Sequence, residues 1–399
     1  SETAEISILT VGPGENLYDK FGHSAFRVTD TENNRDWAFN YGTYDFDTPN
    51  FYTKFAQGKL LYALSVEAYE NFKNRYIRED RWIQEQVLNL SDAEKRALFD
   101  YLITNAQPEN SKYKYDFFYD NCATKIRDVL VKALEGKVRY TDTFVDESYT
   151  FRQLIQKNVH WNSWGSLGMD VAIGAVTDKN ASAWEYQFLP DYIFKAATTA
   201  TIARNGTTKP LVKETNTIFS APEDINPPTV ITSPMFVFSV FAVLILAITY
   251  NDKRKKQRSR FLDATIFAVT GIIGVLLCLL WFATDHGSTA NNYNLLWAFP
   301  FSLPIAVAIG KKQPKIWVRR YCIFLVLLMV LLTMHWGTGV QEFAVGFIPL
   351  YIALLVRYLY VIYFNRWEHR AASFSKNSNY ILSGLMVLLF IITAFRLFN

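Results

Sequence analysis

The stretch YDFFYDNCATKIRDVLVKAL (residues 115–134) sets a cysteine at the start of an amphipathic helix. Ile126, Val129, Leu130 and Leu134 recur at helical spacing, with Lys125, Arg127 and Asp128 between them. Asp120 or Asn121 is the natural N-cap, which puts Cys122 in the first turn. There the unpaired backbone N–H groups and the helix dipole favour a thiolate, lowering the pKa and raising nucleophilicity. The same N–H groups suit the oxyanion that forms when a carbonyl is attacked. A cysteine that transfers acyl groups requires this position.

The compartment of that cysteine follows from the C-terminal half. From Met235 onward, apolar runs of membrane-spanning length alternate with short polar loops. Candidate spans are 230–250, 261–284, 294–310, 318–336, 341–364 and 379–396, the third carrying Pro300 and Pro304. NDKRKKQRSR (251–260), KKQPK (311–315) with Arg319 and Arg320, and the loop with Arg366, Arg370 and Lys376 are basic. The intervening loops DHGSTANNY (285–293) and WGTGV (336–340) hold no Lys or Arg. The positive-inside rule makes the basic loops cytoplasmic and the N-terminal domain extracytoplasmic. The chain starts SETAEIS, so the expectation for an exported domain is a signal peptide already removed. The expected organisation is a catalytic domain over 1–211, an extended linker with PEDINPP over 212–233, and a helical membrane domain over 234–399. LGMDVAIGAV and FLPDYIF, within 160–205, read as a strand and a helical return to the membrane. The net charge of +4 sits largely in membrane loops, and no basic stripe with stacking aromatics marks a nucleic-acid partner.

Of three cysteines, Cys278 and Cys322 fall in apolar runs, as small buried hydrophobes do. Cys122, alone in the exported domain, is either inert and buried or a reactive thiol, and its helix-start setting favours the second. A nucleophile needs a base. Among five histidines, topology excludes His369, and His286 and His335 stand at outer span ends. His160, in NVHWNSWGS, has loop-like surroundings and is held in reserve. His23, in KFGHSAFRV, opens an alternating strand; a turn at TENNR and a second strand over 37–42 follow. Pairing these as a hairpin brings His23 close to Asn40 or Tyr41. An Asn carbonyl there would accept from the imidazole and fix its tautomer; the alternative is a histidine hydrogen-bonded at a strand edge. No metal-ligand spacing and no cofactor motif appear. GPGENLYDKFG (12–22) lacks the Lys-Ser/Thr ending of a P-loop and shapes the entry to His23 instead.

A histidine strand followed much later by Asn-Cys at a helix start resembles the circularly permuted papain-like superfamily (NlpC/P60 and lecithin retinol acyltransferase). FGHSAFRV, FNYGTYDFDTPNFYTKFAQGKLLYAL, YDNCATKIRD, FLPDYIFKA and TDHGSTANNYNLLWAFP together resemble the Lnb family across nearly the whole chain. The resemblance implies an α+β permuted papain-like extracytoplasmic domain before an all-α, six-span membrane domain. It implies lipoprotein N-acylation, in which an acyl chain moves from a glycerol ester to the α-amine of the lipidated N-terminal Cys. His23 and Cys122 match the family's base and nucleophile; Asn40, with Tyr41 as alternative, rests on the hairpin. The expected partners are diacylated lipoproteins, with membrane phospholipid the other acyl donor, in the bacterial cytoplasmic membrane.

The Asn121 side chain is a candidate oxyanion donor beside the Cys122 N–H. Tyr119, with Phe117, Phe118, Phe46, Phe51 and Tyr52, belongs to the core or lines an acyl groove. Asp285, His286, Asn291, Asn292 and Asn294, with His335, Gln341 and Glu342, are solvated helix ends or a head-group site. Two rivals stand: a cell-wall peptidase or amidase active without the membrane domain, and a lipid-binding scaffold that tolerates Cys122→Ser.

Overall fold

The computed structural model describes residues 3–221 and 230–364. It divides into two units, Ser1–Val159 with Asn180–Asn226, and His160–Lys179 with Pro227–Asn399.

The first unit is built on a seven-stranded sheet. Its strands are β1 (Glu5–Val11), β2 (His23–Asp30), β3 (Arg35–Thr43), β4 (Leu61–Ala68), β5 (Ile83–Leu88) and β6 (Lys112–Lys114). After the small sheet β7 (Val138–Arg139), β8 (Thr201–Arg204) and β9 (Thr207–Pro210) comes β10 (Val212–Phe219), which returns to the large one. The order is β10-β5-β1-β2-β3-β4-β6, with neighbours antiparallel. The helices of this unit are α1 (Phe51–Ala56), α2 (Tyr69–Arg78), α3 (Asp92–Asn105), α4 (Cys122–Ala133) and α5 (Phe151–Gln156), with α7 (Ala183–Tyr186) and α8 (Pro190–Thr199) later.

Alternation sends the strand residues to two cores. Ile6, Ile8, Phe26, Val28, Phe39 and Tyr41 pack with Leu98 and Leu102 of α3, Ile126, Val129 and Leu130 of α4, and Ile193 of α8. Leu9, Val11, Ala25 and Ala38 meet Tyr69, Phe72 and Tyr76 of α2 on the opposite face. Each buried Val, Leu, Ile or Phe among them contributes roughly 1.5–3 kcal/mol of transfer free energy. The register puts β1 centrally, with both faces covered, which is why EISILTV is nearly all buried.

Two expectations are corrected here. Val212–Phe219, expected as linker, is the edge strand β10 on β5; half-exposed and polar through its middle (Lys213–Thr217), it carries no clear apolar alternation. FLPDYIF does not lead back to the membrane: its helix α8 buries Ile193, Ala196 and Ala197 within the first unit.

Among the described residues, the second unit holds four helices long and apolar enough to cross a membrane: Pro234–Lys255 (α9), Arg260–Phe282 (α10), Ile316–Thr338 (α12) and Val345–Tyr363, which contains α13 (Ile348–Tyr363). The third expected span is broken into a 3-10 turn at Tyr293–Leu296 and a short helix α11 (Ser302–Ile309). Pro300 keeps the helix from starting earlier, and Pro304 falls in its first turn, where its missing N–H costs little. This broken segment still runs the length of α10, antiparallel to it. Thr289 Oγ1 donates to Leu280 O at 2.8 Å, and Arg258 donates to Ile309 O and Lys311 O at the far end, both at 2.7 Å. Gly274 and Gly271 lie between, so close to Ala298 and Leu303 that a β-carbon would stand 2.0 Å and 2.2 Å from backbone atoms. The basic loops 251–260 and 311–315 therefore share one end, as the charge pattern requires. The sixth expected span, 379–396, lies outside the described residues.

At that basic end four buried charges close a neutral network. Arg357 donates to Asp263 at 2.7 Å and to Asp252 at 2.8 Å, and Arg258 donates to Asp263 at 2.7 Å. At the other end, His160–Lys179 belongs to the membrane unit. LGMDVAIGAV, expected as a strand, lies in helix α6 (Trp164–Ala172) and the turn after it. Gly174 N donates to Ser288 O at 2.9 Å and Ala175 N to Asn291 O at 3.0 Å. Trp164 Nε1 donates to Thr232 O at 2.8 Å, and Asn162 Oδ1 accepts from Met235 N at 3.0 Å.

Candidate active site

His23 opens β2 after Gly22, whose φ of +78° and contact with Val11 O exclude a side chain there. The hairpin pairs Phe26 with Phe39, so Asn40 shares a sheet face with His23 two residues along. His23 Nε2 lies 2.6 Å from Asn40 Oδ1. Since Oδ1 only accepts, Nε2 carries a proton and Nδ1 is the nitrogen left for Cys122. Tyr41 points to the other face, where its hydroxyl donates to Asn105 Oδ1 at 2.6 Å.

Cys122 is the first residue of α4 and 9% exposed. Asn121 caps the helix: its Oδ1 accepts from Ala123 N and Thr124 N, both at 2.9 Å. Its Nδ2 donates to Phe117 O at 2.7 Å and Phe188 O at 2.8 Å. Both ends of the amide are taken, which leaves no donor on this side chain for an oxyanion. Gly42, at φ +91° in the bulge between β3 and β4, lies beneath the cysteine. A β-carbon there would stand 3.5 Å from Cys122 Cβ.

The electrostatics favour an ion pair. Burial alone would push the His23 imidazole down; the Cys122 charge, its hydrogen bond and that of Asn40 outweigh burial and Arg81, and the net shift is upward. Burial alone would push the Cys122 thiol up; the His23 charge and hydrogen bond, with the N–H groups of Ser24 and Ala123, turn the net shift downward. Arg81, 3% exposed, donates to Gly12 O at 2.8 Å and pairs with Asp19 at 3.3 Å, fixing the 12–22 loop that leads into His23.

An aromatic run adjoins the cysteine. Tyr115, whose phenol is pushed up by burial and then by the Cys122 charge, stacks on Tyr62 at 4.3 Å. Tyr62 meets Tyr44, and Tyr44 meets Phe46 and Phe51 at 5.1 and 5.7 Å. Phe46, Tyr52 and Phe55 are exposed. Tyr119 is 53% exposed at the edge of the Phe118–Phe151 cluster. Sequence reasoning passed over Tyr113 and Tyr115; their i, i+2 spacing in KYKY was the available signal, since it sets both on one face of β6 and its continuation.

The other predicted residues belong to the membrane unit. Asn292 Nδ2 donates to Val171 O and Ala172 O at 2.8 and 3.0 Å; Asn294 Nδ2 donates to Asp170 O at 3.0 Å and its Oδ1 accepts from Trp297 Nε1 at 2.8 Å. Buried at 2% and 3% exposure, they hold the 160–179 segment and present no amide to a head group. Asp285 and His286 precede the turn Gly287–Thr289. His335 Nδ1 lies 2.8 Å from Leu331 O, and its ring packs on Tyr293 at 4.5 Å. No group of three metal-ligating side chains occurs among the described residues.

Two family models match the chain: the Lnb N-terminal periplasmic domain over residues 1–157 and the Lnb transmembrane domain over residues 226–368. No curated protein and no solved structure matches it.

Proposed function

The chain belongs to the Lnb family, a multi-pass membrane protein with a periplasmic domain, and from that premise we propose that it is a lipoprotein N-acyltransferase working through a thioester on Cys122. The observation that carries this reading is geometric: Cys122 opens a helix beside His23, whose far nitrogen Asn40 Oδ1 holds at 2.6 Å, and the thiol is shifted downward by that imidazole.

In the proposed reaction the Cys122 thiolate attacks an ester carbonyl of a glycerolipid. The C–S bond forms and the carbonyl electron pair moves to oxygen, toward the Cys122 N–H at the helix start. Collapse of the adduct breaks the C–O bond, and the His23 imidazolium protonates the leaving alcohol. The free α-amine of the lipidated N-terminal Cys then attacks the thioester. Neutral His23 takes the amine proton, and the thiolate leaves. The aromatic run from Tyr62 to Phe55, exposed at Phe46, Tyr52 and Phe55, and Tyr119 suit an acyl chain and would keep water from the thioester. A chain of membrane spans suits donors and acceptors anchored in lipid, and the setting we assign is the bacterial cytoplasmic membrane.

The same arrangement supports a permuted papain-like reading of the soluble domain, since the His and Asn strands precede the Cys helix in the chain. The test is mass spectrometry of a lipoprotein's N-terminal peptide from cells lacking other N-acyltransferases. N-acylation with wild type and none with Cys122→Ser is expected, and the chains left on the glycerol identify the lipoprotein itself or a phospholipid as donor. Equal N-acylation in both strains, or a soluble domain that cuts cell-wall peptide without lipid, defeats the reading.

A further inference from the structure

Among the described residues of the periplasmic unit, four side-chain hydroxyls are buried without a hydrogen-bond partner: Thr10, Ser24, Tyr69 and Tyr113. An unpaired buried hydroxyl costs roughly 1–3 kcal/mol and calls for a reason. Thr10 and Ser24 face each other in the β1–β2 register with no exposure, so no substrate reaches them. Tyr69 lies under Arg27, whose guanidinium carbon is 3.6 Å from the ring centroid. Tyr113 differs from all three. Its ring lines a cavity of about 260 Å³ whose walls include neither Cys122 nor His23, but its hydroxyl reaches the cysteine side of Gly42. A β-carbon at Gly42 would stand 3.9 Å from Tyr113 Oη and 3.5 Å from Cys122 Cβ.

We propose that Tyr113 donates its phenolic O–H to the oxyanion that forms when Cys122 attacks an acyl carbonyl. The inference rests on the acyl-transfer reading and names a donor that the Asn121 amide, bonded at both ends, does not supply. The resting hydroxyl is unpaired because its acceptor exists only in the adduct, and a donor aimed at charge that develops later stabilises the transition state selectively. Burial first, and then the Cys122 charge, push the phenol up, so it keeps its proton beside the thiolate. Lys125 Nζ, 4.2 Å from the ring centroid, draws density from the ring and strengthens the O–H as a donor. In the step, the S–C bond forms, the carbonyl pair becomes an alkoxide accepting from Tyr113, and collapse returns that pair as the C–O bond to the alcohol breaks.

The experiment uses the full-length protein in detergent with a p-nitrophenyl fatty-acyl ester, following the nitrophenolate burst and the Cys122 thioester by mass spectrometry. Iodoacetamide alkylation of Cys122 runs in parallel, because attack on a saturated carbon makes no oxyanion. Tyr113→Phe is expected to slow acylation roughly 100-fold and leave alkylation within about twofold of wild type, the ring and its packing being retained. Acylation at the wild-type rate overturns the inference. So does an equal loss of acylation and alkylation, which would make Tyr113 part of the thiol's surroundings alone. A wild-type protein that forms no Cys122 thioester overturns the acyl-transfer reading itself, and the inference with it.

Discussion

Asn40 Oδ1 and His23 Nε2 stand 2.6 Å apart, joining two strands whose hairpin register sets both side chains on one face of the sheet. The hydrogen bond fixes the imidazole tautomer and raises its pKa, since it favours the protonated ring. The reactive pair, thiolate beside imidazolium, exists above the lowered Cys122 pKa and below the raised His23 pKa.

Asn40→Ala removes one of the supports of the imidazolium. The alkaline limb of the rate profile for Cys122 acylation by an alkyl ester, which needs the imidazolium to protonate the leaving alcohol, should move to lower pH. The acid limb should move to higher pH, because a weaker imidazolium stabilises the thiolate less. Acyl transfer should fall roughly 10- to 100-fold. Iodoacetamide kinetics across pH measure the acid limb and ester acylation measures the alkaline one, and unchanged profiles would show that Asn40 does not support the imidazolium.

Gly42→Ala should lower the melting temperature and slow alkylation of Cys122. Its φ of +91° is unfavourable to a side chain, and the new methyl meets Cys122 Cβ at 3.5 Å. Gly206→Ala is the matched control, with φ +78° and nothing within 4 Å. Both should lose about 1–2 kcal/mol to backbone strain, and only the first should alter thiol reactivity.

Asn121→Ala removes a cap that satisfies two N–H groups and two carbonyls. The cap alone is worth about 0.5–2 kcal/mol, and the buried Phe188 carbonyl adds the cost of an unpaired acceptor. Asn121→Asp keeps the acceptor but turns a buried carboxylate oxygen toward Phe117 O and Phe188 O, which repels them. Denaturant midpoints should rank wild type above both variants; an Ala variant as stable as wild type would contradict the cap's role.

Arg357→Met should destabilise the membrane unit by about 3–5 kcal/mol, because Asp252 loses its buried partner while Asp263 keeps Arg258. Adding Asp252→Asn should recover part of the loss. Thermal unfolding in detergent distinguishes the single from the double variant, and equal midpoints would rule out the charge coupling.

The site was legible because its signals are local. The glycine before His23, the alternation through β2 and β3, and the N-cap before Cys122 each follow from a few adjacent residues. The elements misread depend on distant partners. The polar-centred β10 is an edge strand, and nothing in its own pattern announces β5. Trp164–Ala172 shows an apolar run that fits strand or helix equally; what decides it is the set of carbonyls at Asp170–Ala172 that Asn292 and Asn294 take up. The broken third segment escaped because mean hydropathy measures length in lipid, and two prolines changed its geometry without changing its apolarity.

The assignment of His160–Lys179 to the membrane unit also bears on the order of synthesis. A ribosome releases this segment well before α9 exists, yet its bonding partners Ser288, Asn291, Asn292 and Asn294 lie more than a hundred residues downstream. Until those partners have been inserted, the segment must wait outside the lipid with its contacts unmade, and pairings this remote in sequence form slowly. A domain exported alone, without the spans, would carry twenty residues whose folding template had never been made.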